Sequence, residues 1–128
     1  MSNLVFDAYA WLEYLDGSKE GGRVNELINN SENRIFTNNV TFAEVISVVK
    51  RRRSDVEIAA RAIPSLSHIY EGDLEFYKDV GLLHAEMRQN IPRFGLADAF
   101  VLLTARRLGA KVVTGDPHFK GLKEVIFI

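Results

Sequence analysis

The chain is 128 residues long, 47% hydrophobic and 26% charged, with a formal net charge of -1 and no cysteine. That is enough apolar material for one well-buried core, so residues 1–128 are expected to form a single domain. It excludes disulfides and thiolate metal sites, leaving oxygen and imidazole as metal donors, and it excludes the strongly positive overall field of a non-specific duplex binder.

Leu4, Val5 and Phe6 form a short apolar run ending at Asp7, and Ala8 to Leu15 then sets Tyr9, Leu12 and Leu15 at helical spacing. A strand followed by a helix is expected. A second helix over Glu20 to Asn30 leads through Arg34, Ile35 and Phe36 to the polar segment Thr37, Asn38, Asn39, which suits a strand end and a helix N-cap. A third helix follows from Val40 to Arg53. Next come a short helix over Val56 to Ala62, closed by Pro64, and a weak strand over Ser67 to Tyr70.

Leu74 to Gln89 reads as a longer helix with Phe76, Val80, Leu83 and Met87 on one side, ending before Pro92. Gly95 breaks the chain, and Ala97 to Leu108 is an almost wholly apolar helix with Gly109 at its C-cap. The β-branched strand Lys111 to Thr114 and a last strand over Val125 to Ile128 complete the pattern. Strands alternating with helices favour a short parallel sheet covered on both faces, a three-layer α/β sandwich. No apolar window approaches the length of a membrane span, and Met1 to Asp7 lacks a basic start before a long apolar run. No membrane contact and a cytoplasmic location are expected.

Ligands of parallel α/β sheets bind beyond the carboxyl ends of the strands. Asp7 closes the first strand, Asp116 follows the strand Val112 to Thr114 across Gly115, Asp98 stands in the first turn of the apolar helix, and Glu44 lies one turn into the third helix. All four acids can share one pocket. Taken singly, each aspartate also fits an N-cap or turn, and Glu44 a solvent-facing position. Asp98 is the most telling, because among Leu96, Ala97, Ala99 and Phe100 an unpaired carboxylate is costly to bury. A hard divalent cation, Mg2+ or Mn2+, would compensate it and would let an acidic pocket act on a polyanion. Without metal, clustered carboxylates raise one another's proton affinity.

Of the histidines, His68 and His84 fall inside expected elements with no evident partner, and His118 stands two residues after Asp116, where a plain turn or surface role is favoured over a contact with substrate or phosphate. The basic run Lys50 to Arg53 reads either as a solvated helix end or as a backbone contact for nucleic acid. Tyr9, Trp11 and Tyr14 read as core or interface before stacking platform. There is no phosphate-binding glycine loop, dinucleotide fingerprint, H-E-x-x-H helix or nucleophile elbow.

Four segments, V-F-D-A-Y-A-W-L-E-Y-L from Val5, T-N-N-V-T-F-A-E-V from Thr37, G-L-A-D-A-F-V-L-L-T-A from Gly95 and V-V-T-G-D-P-H-F from Val112, together resemble the PIN domain, and within it the VapC toxin branch. The resemblance runs from Val5 to Phe119, with the two C-terminal segments its most specific parts. It implies a ribonuclease whose metal-binding and catalytic acids are Asp7, Glu44, Asp98 and Asp116, holding Mg2+ or Mn2+, with Thr114 as a supporting hydroxyl. It also implies a VapB-like antitoxin partner and a homodimer. The chain departs from the pattern at Ala8 and Tyr9, where many relatives carry a small hydroxyl residue. Trp11, Leu12, Tyr14 and Leu15 exceed one buried stripe and offer a face for a partner helix, or complete the protein's own core. The competing reading is a PIN-like module that binds RNA or protein without turnover; a DNA-directed nuclease ranks lower because the short chain lacks insertions to grip a duplex.

Overall fold

The computed structural model describes all residues from Met1 to Ile128. Five strands, β1 (Ser2–Phe6), β2 (Asn33–Asn38), β3 (His68–Tyr70), β4 (Lys111–Thr114) and β5 (Val125–Phe127), form one sheet of order β3-β2-β1-β4-β5. Every pairing is parallel, with Leu4 beside Ile35 and Val5 beside Val112. The chain winds outward in one direction from β1 through β2 to β3, then restarts on the other side with β4. The point where winding reverses lies between β1 and β4, where such sheets leave a crevice beyond the strand ends.

Six helices cover the sheet: α1 (Ala8–Asp16), α2 (Lys19–Asn29), α3 (Asn39–Arg51), α4 (Val56–Leu66), α5 (Leu74–Met87) and α6 (Leu96–Leu108). Side chains of a strand alternate between faces, and the cores follow that period of two. Leu4, Phe6 and Val113 pack with Trp11, Val24, Val45 and Ile63 from α1 to α4, while Val5 and Val112 pack with Phe76, Val80, Leu102 and Ala105 from α5 and α6. This is the expected three-layer α/β sandwich.

Short polar residues set the helix starts. The side chains of Asp7, Asn38 and Asp73 accept hydrogen bonds from the backbone N–H groups of Ala10, Val40 and Phe76, opening α1, α3 and α5. Gly109 closes α6 at φ 59°, a left-handed cap that glycine adopts without a Cβ penalty. Two buried polar contacts tie the layers: Trp11 Nε1 donates to Thr37 Oγ1 at 3.0 Å, and Asn38 Nδ2 donates to Thr104 Oγ1 at 2.9 Å. The second fixes the end of β2 against α6.

Two local expectations change. Pro64 does not close α4, which runs on to Leu66. Pro64 is exposed one turn from the helix end, and the last carbonyls find other donors: Ser65 Oγ donates to Ala62 O, and both the N–H and Oγ of Ser67 donate to Ile63 O. His84 does have a partner, since its Nε2 lies 3.1 Å from the carbonyl of Phe94 and joins α5 to the turn before α6.

Candidate metal and substrate pocket

Asp7 is the first residue beyond β1 and only 6% exposed. Its Oδ1 accepts the N–H of Ala10 at 2.9 Å, and its Oδ2 accepts the hydroxyl of the buried Thr114, the last residue of β4. Burial dominates its electrostatics and lifts its pKa to about 7, although both hydrogen bonds pull downward; the charges of Asp116 and Asp98 add to the rise. Of the expected acids, Asp7 therefore carries the burial cost that the sequence pattern assigned to Asp98.

Beyond β4 the chain passes Gly115, where an added Cβ would come within 2.3 Å of the Tyr9 ring. Only glycine lets the ring lie against this backbone. Thr114 Oγ1, while donating to Asp7, accepts the N–H of Asp116 at 2.9 Å. Asp116 in turn caps a 3-10 turn, Pro117–Phe119, by accepting the N–H of His118 at 2.9 Å. Phe119 is fully buried against Phe94 and anchors the turn.

Asp98 stands in the first turn of α6, half-buried, with its Oδ2 accepting the N–H of Gly95 at 2.8 Å. The apolar neighbours that made it look deeply buried diverge around the helix: Ala99 and Leu102 enter the core, while Asp98 faces the crevice. Its pKa is raised, chiefly by burial and then by Asp116, against the lowering effects of the Gly95 N–H and His118. Glu44, on α3, is more open to solvent; partial desolvation and then the charges of Asp98 and Asp116 raise its proton affinity. The acids thus sense one another across four separate elements. No lysine or arginine forms an ion pair with any of them.

The tightest donor group comprises Asp98, Asp116 and His118, which can each offer one atom within 4.8 Å of the others. His118 Nδ1 is 3.5 Å from Asp98 Oδ2 and 3.4 Å from Asp116 Oδ1, is sealed from solvent, and has no hydrogen-bond partner. Carboxylate oxygens with one imidazole nitrogen and no thiolate suit a hard or borderline divalent cation. An orphaned donor atom and an excess of unpaired carboxylate fit such an ion. In the sequence His118 read as a turn residue or a phosphate contact, not as a metal donor, and Tyr9 as core or interface before stacking platform. A histidine next to Phe119 in a D-P-H-F turn was the available sign for the first; the missing side chain of Gly115 beside a strand end was the sign for the second.

Away from the acids, α1, α3 and α4 enclose a groove of about 200 Å³. Leu12, Leu15, Val49, Ile58 and Ala59 line it, and Asp16, Arg52 and Asp55 stand at its rim. Trp11 is not part of it, being buried beneath and edge-on to Phe6 and Tyr14. Of the basic run only Arg52 belongs here, paired to Asp16 at 3.3 Å, while Lys50, Arg51 and Arg53 line a separate open depression beside it.

A parallel α/β domain with carboxylates gathered at its winding reversal defines the class. The family model described as PIN domain matches residues 4–125, and the chain belongs to the PIN domain family. No curated protein matches in sequence. Solved structures share the fold at low identity. VapC20 of Mycobacterium tuberculosis, a toxin described as cleaving the Sarcin-Ricin loop, is 16% identical with a TM-score of 0.74, over 98% of this chain and 96% of that one. VapBC2 of Rickettsia felis, bound to a DNA fragment from its promoter, is 17% identical with a TM-score of 0.73, over 98% and 97%. A toxin-antitoxin complex from Klebsiella pneumoniae is 22% identical with a TM-score of 0.69, over 96% and 95%.

Proposed function

We propose that this chain is a divalent-metal-dependent endoribonuclease and the toxin of a toxin-antitoxin pair. The observation that carries the reading is the convergence of Asp7, Glu44, Asp98 and Asp116 at the winding reversal without a lysine or arginine counterion. Asp7, Asp98 and Asp116 hold the cation, Mg2+ or Mn2+, with Glu44 at the open side of the pocket. A cation held by these carboxylates would supply charge neutralisation of the phosphate and a more acidic attacking water. Thr114 holds Asp7 in one rotamer, and the Gly95 N–H does the same for Asp98. Glu44 is assigned to take the proton from water, a role supported by its raised proton affinity and its exposure at the edge of the pocket. Water oxygen then bonds to phosphorus as the bond to the 3′ oxygen breaks, and that oxygen takes a proton from solvent, leaving a 5′-phosphate and a 3′-hydroxyl.

RNA as substrate is supported by the four matching segments and by the described action of the Mycobacterium tuberculosis relative. The groove between α1, α3 and α4, with Ile58 61% exposed, suits the apolar face of an antitoxin helix. Leu74, Tyr77 and Leu82 on α5 leave a second apolar surface, which we assign to a homodimer contact. No helix is long and apolar enough to cross a membrane, and we place the protein, as one domain, in the cytoplasm.

Purified protein should cleave RNA when Mg2+ or Mn2+ is added, and Asp7→Asn or Asp98→Asn should abolish cleavage. Undiminished cutting by either variant, purified alongside to control for contaminating nuclease, would sink the assignment. Calorimetry separates turnover from a binding-only role: no metal uptake at millimolar Mg2+ or Mn2+ would favour the binding module.

A further inference from the structure

We infer that His118 is a nitrogen ligand of the bound cation, through Nδ1, and that it biases the site toward Mn2+ over Mg2+. This rests on the metal-site reading above and adds a residue to it.

The argument is geometric. Nδ1 lies almost equidistant from Asp98 Oδ2 and Asp116 Oδ1, at 3.5 and 3.4 Å, too far for a good hydrogen bond to either. Neighbouring donors around a small octahedral ion at about 2.1 Å stand roughly 3 Å apart, so a small inward shift suffices. A ring nitrogen that is shut off from water and makes no hydrogen bond needs a reason to be there. Its aim is held from both sides: the His118 N–H is bonded to Asp116 Oδ1, and the next residue, Phe119, is locked in the core. The side chain as a whole stays a third exposed, leaving the far edge of the ring open to the crevice. Imidazole binds first-row transition ions more tightly than it binds magnesium, which prefers oxygen and keeps its waters.

The test is electron paramagnetic resonance of Mn2+ added to the metal-free protein, with Mg2+ as competitor, on the wild type, His118→Gln and Asp98→Asn. Expected are a nitrogen coupling on the bound Mn2+ of the wild type, its loss in His118→Gln, and a Mn2+ dissociation constant about tenfold weaker in that variant, with Mg2+ affinity changed less than twofold. Bound Mn2+ with oxygen ligands only in the wild type would overturn the inference while leaving the metal site standing. Absence of Mn2+ binding, or unchanged binding in Asp98→Asn, would overturn the site itself. The wild-type spectrum needs no variant to fold.

Discussion

Thr114 and Asp7, 107 residues apart in the chain, are joined by a buried hydrogen bond in which the threonine hydroxyl donates to the carboxylate. The bond links the ends of the two central strands. Because the same oxygen accepts the Asp116 N–H, one hydroxyl orients two of the pocket's acids. Thr114→Val, nearly the same shape, should cost about 1–3 kcal/mol of stability and raise the Asp7 pKa further, since the removed bond lowers it. A carboxyl-carbon NMR titration reads the second effect; an unmoved Asp7 would show that the bond does not hold the charge.

Stability of the metal-free protein should fall as pH rises. Asp7 loses its proton near pH 7 when folded and near 3.8 when unfolded. Between those values the folded state keeps a proton that the unfolded chain has released, so stability drops from about pH 4 to about pH 7 and is level above. The loss assigned to Asp7 is roughly 4 kcal/mol, and Asp98 and Glu44, also raised, act in the same direction. Urea unfolding at pH 5 and pH 8 should read about 3 kcal/mol of this, the part lost above pH 5. Asp7→Asn should flatten the slope and exceed the wild type in stability at pH 8.

Metal should reverse this trend. Ion and proton compete for the same oxygens, so saturating Mn2+ should raise the melting temperature more at pH 8 than at pH 5.5. At a hundredfold excess over the dissociation constant the gain is about 2.7 kcal/mol. Equal shifts at both pH values would mean that the ion binds elsewhere.

Gly115→Ala sets a Cβ into the Tyr9 ring, and the ring, exposed at its edge, should swing aside. Tyr9→Ala should then relieve most of the cost of Gly115→Ala in a thermal double-mutant cycle. If the ring also stacks a base at the pocket mouth, Tyr9→Ala weakens RNA binding by about 1–3 kcal/mol with little change in kcat. Additive melting shifts would deny the contact.

Ile58→Glu places a charge on the exposed wall of the α1, α3 and α4 groove and should abolish antitoxin capture while leaving metal binding intact. The Arg52–Asp16 pair on its rim is solvent-exposed and worth little to folding. Arg52 lies about 12 Å along α3 from Glu44. Reversing Arg51 and Arg52 to glutamate therefore tests two roles. A weaker and flatter salt dependence of RNA binding assigns the run to phosphate, whereas an unchanged slope with weaker antitoxin binding assigns it to the groove.

Much of this was legible before folding. Asp7 and Asp116 follow β-branched or apolar runs that could only be strands, Asn38 sits where a strand must become a helix, and Gly109 marks the end of α6; each appears as expected. What was not legible depends on direction. An apolar neighbourhood in sequence does not say which side of a helix a residue takes, so Asp98 looked buried when Asp7 is the buried acid. The aim of His118 comes from a tight turn pinned by Phe119, and the Tyr9 contact from a residue 106 positions away. Pro64 misled because it stands in the last turn of α4, where it withholds one donor, and the serines beyond it satisfy the closing carbonyls of Ala62 and Ile63.

The groove is lined by residues between Leu12 and Ala59, whereas the fourth carboxylate arrives only at Asp116. During synthesis, every residue of this groove leaves the ribosome before the acid set is complete. On the proposed reading, an unfinished chain lacks its fourth acid, and the residues that would meet an antitoxin emerge before the set that would cut RNA is complete.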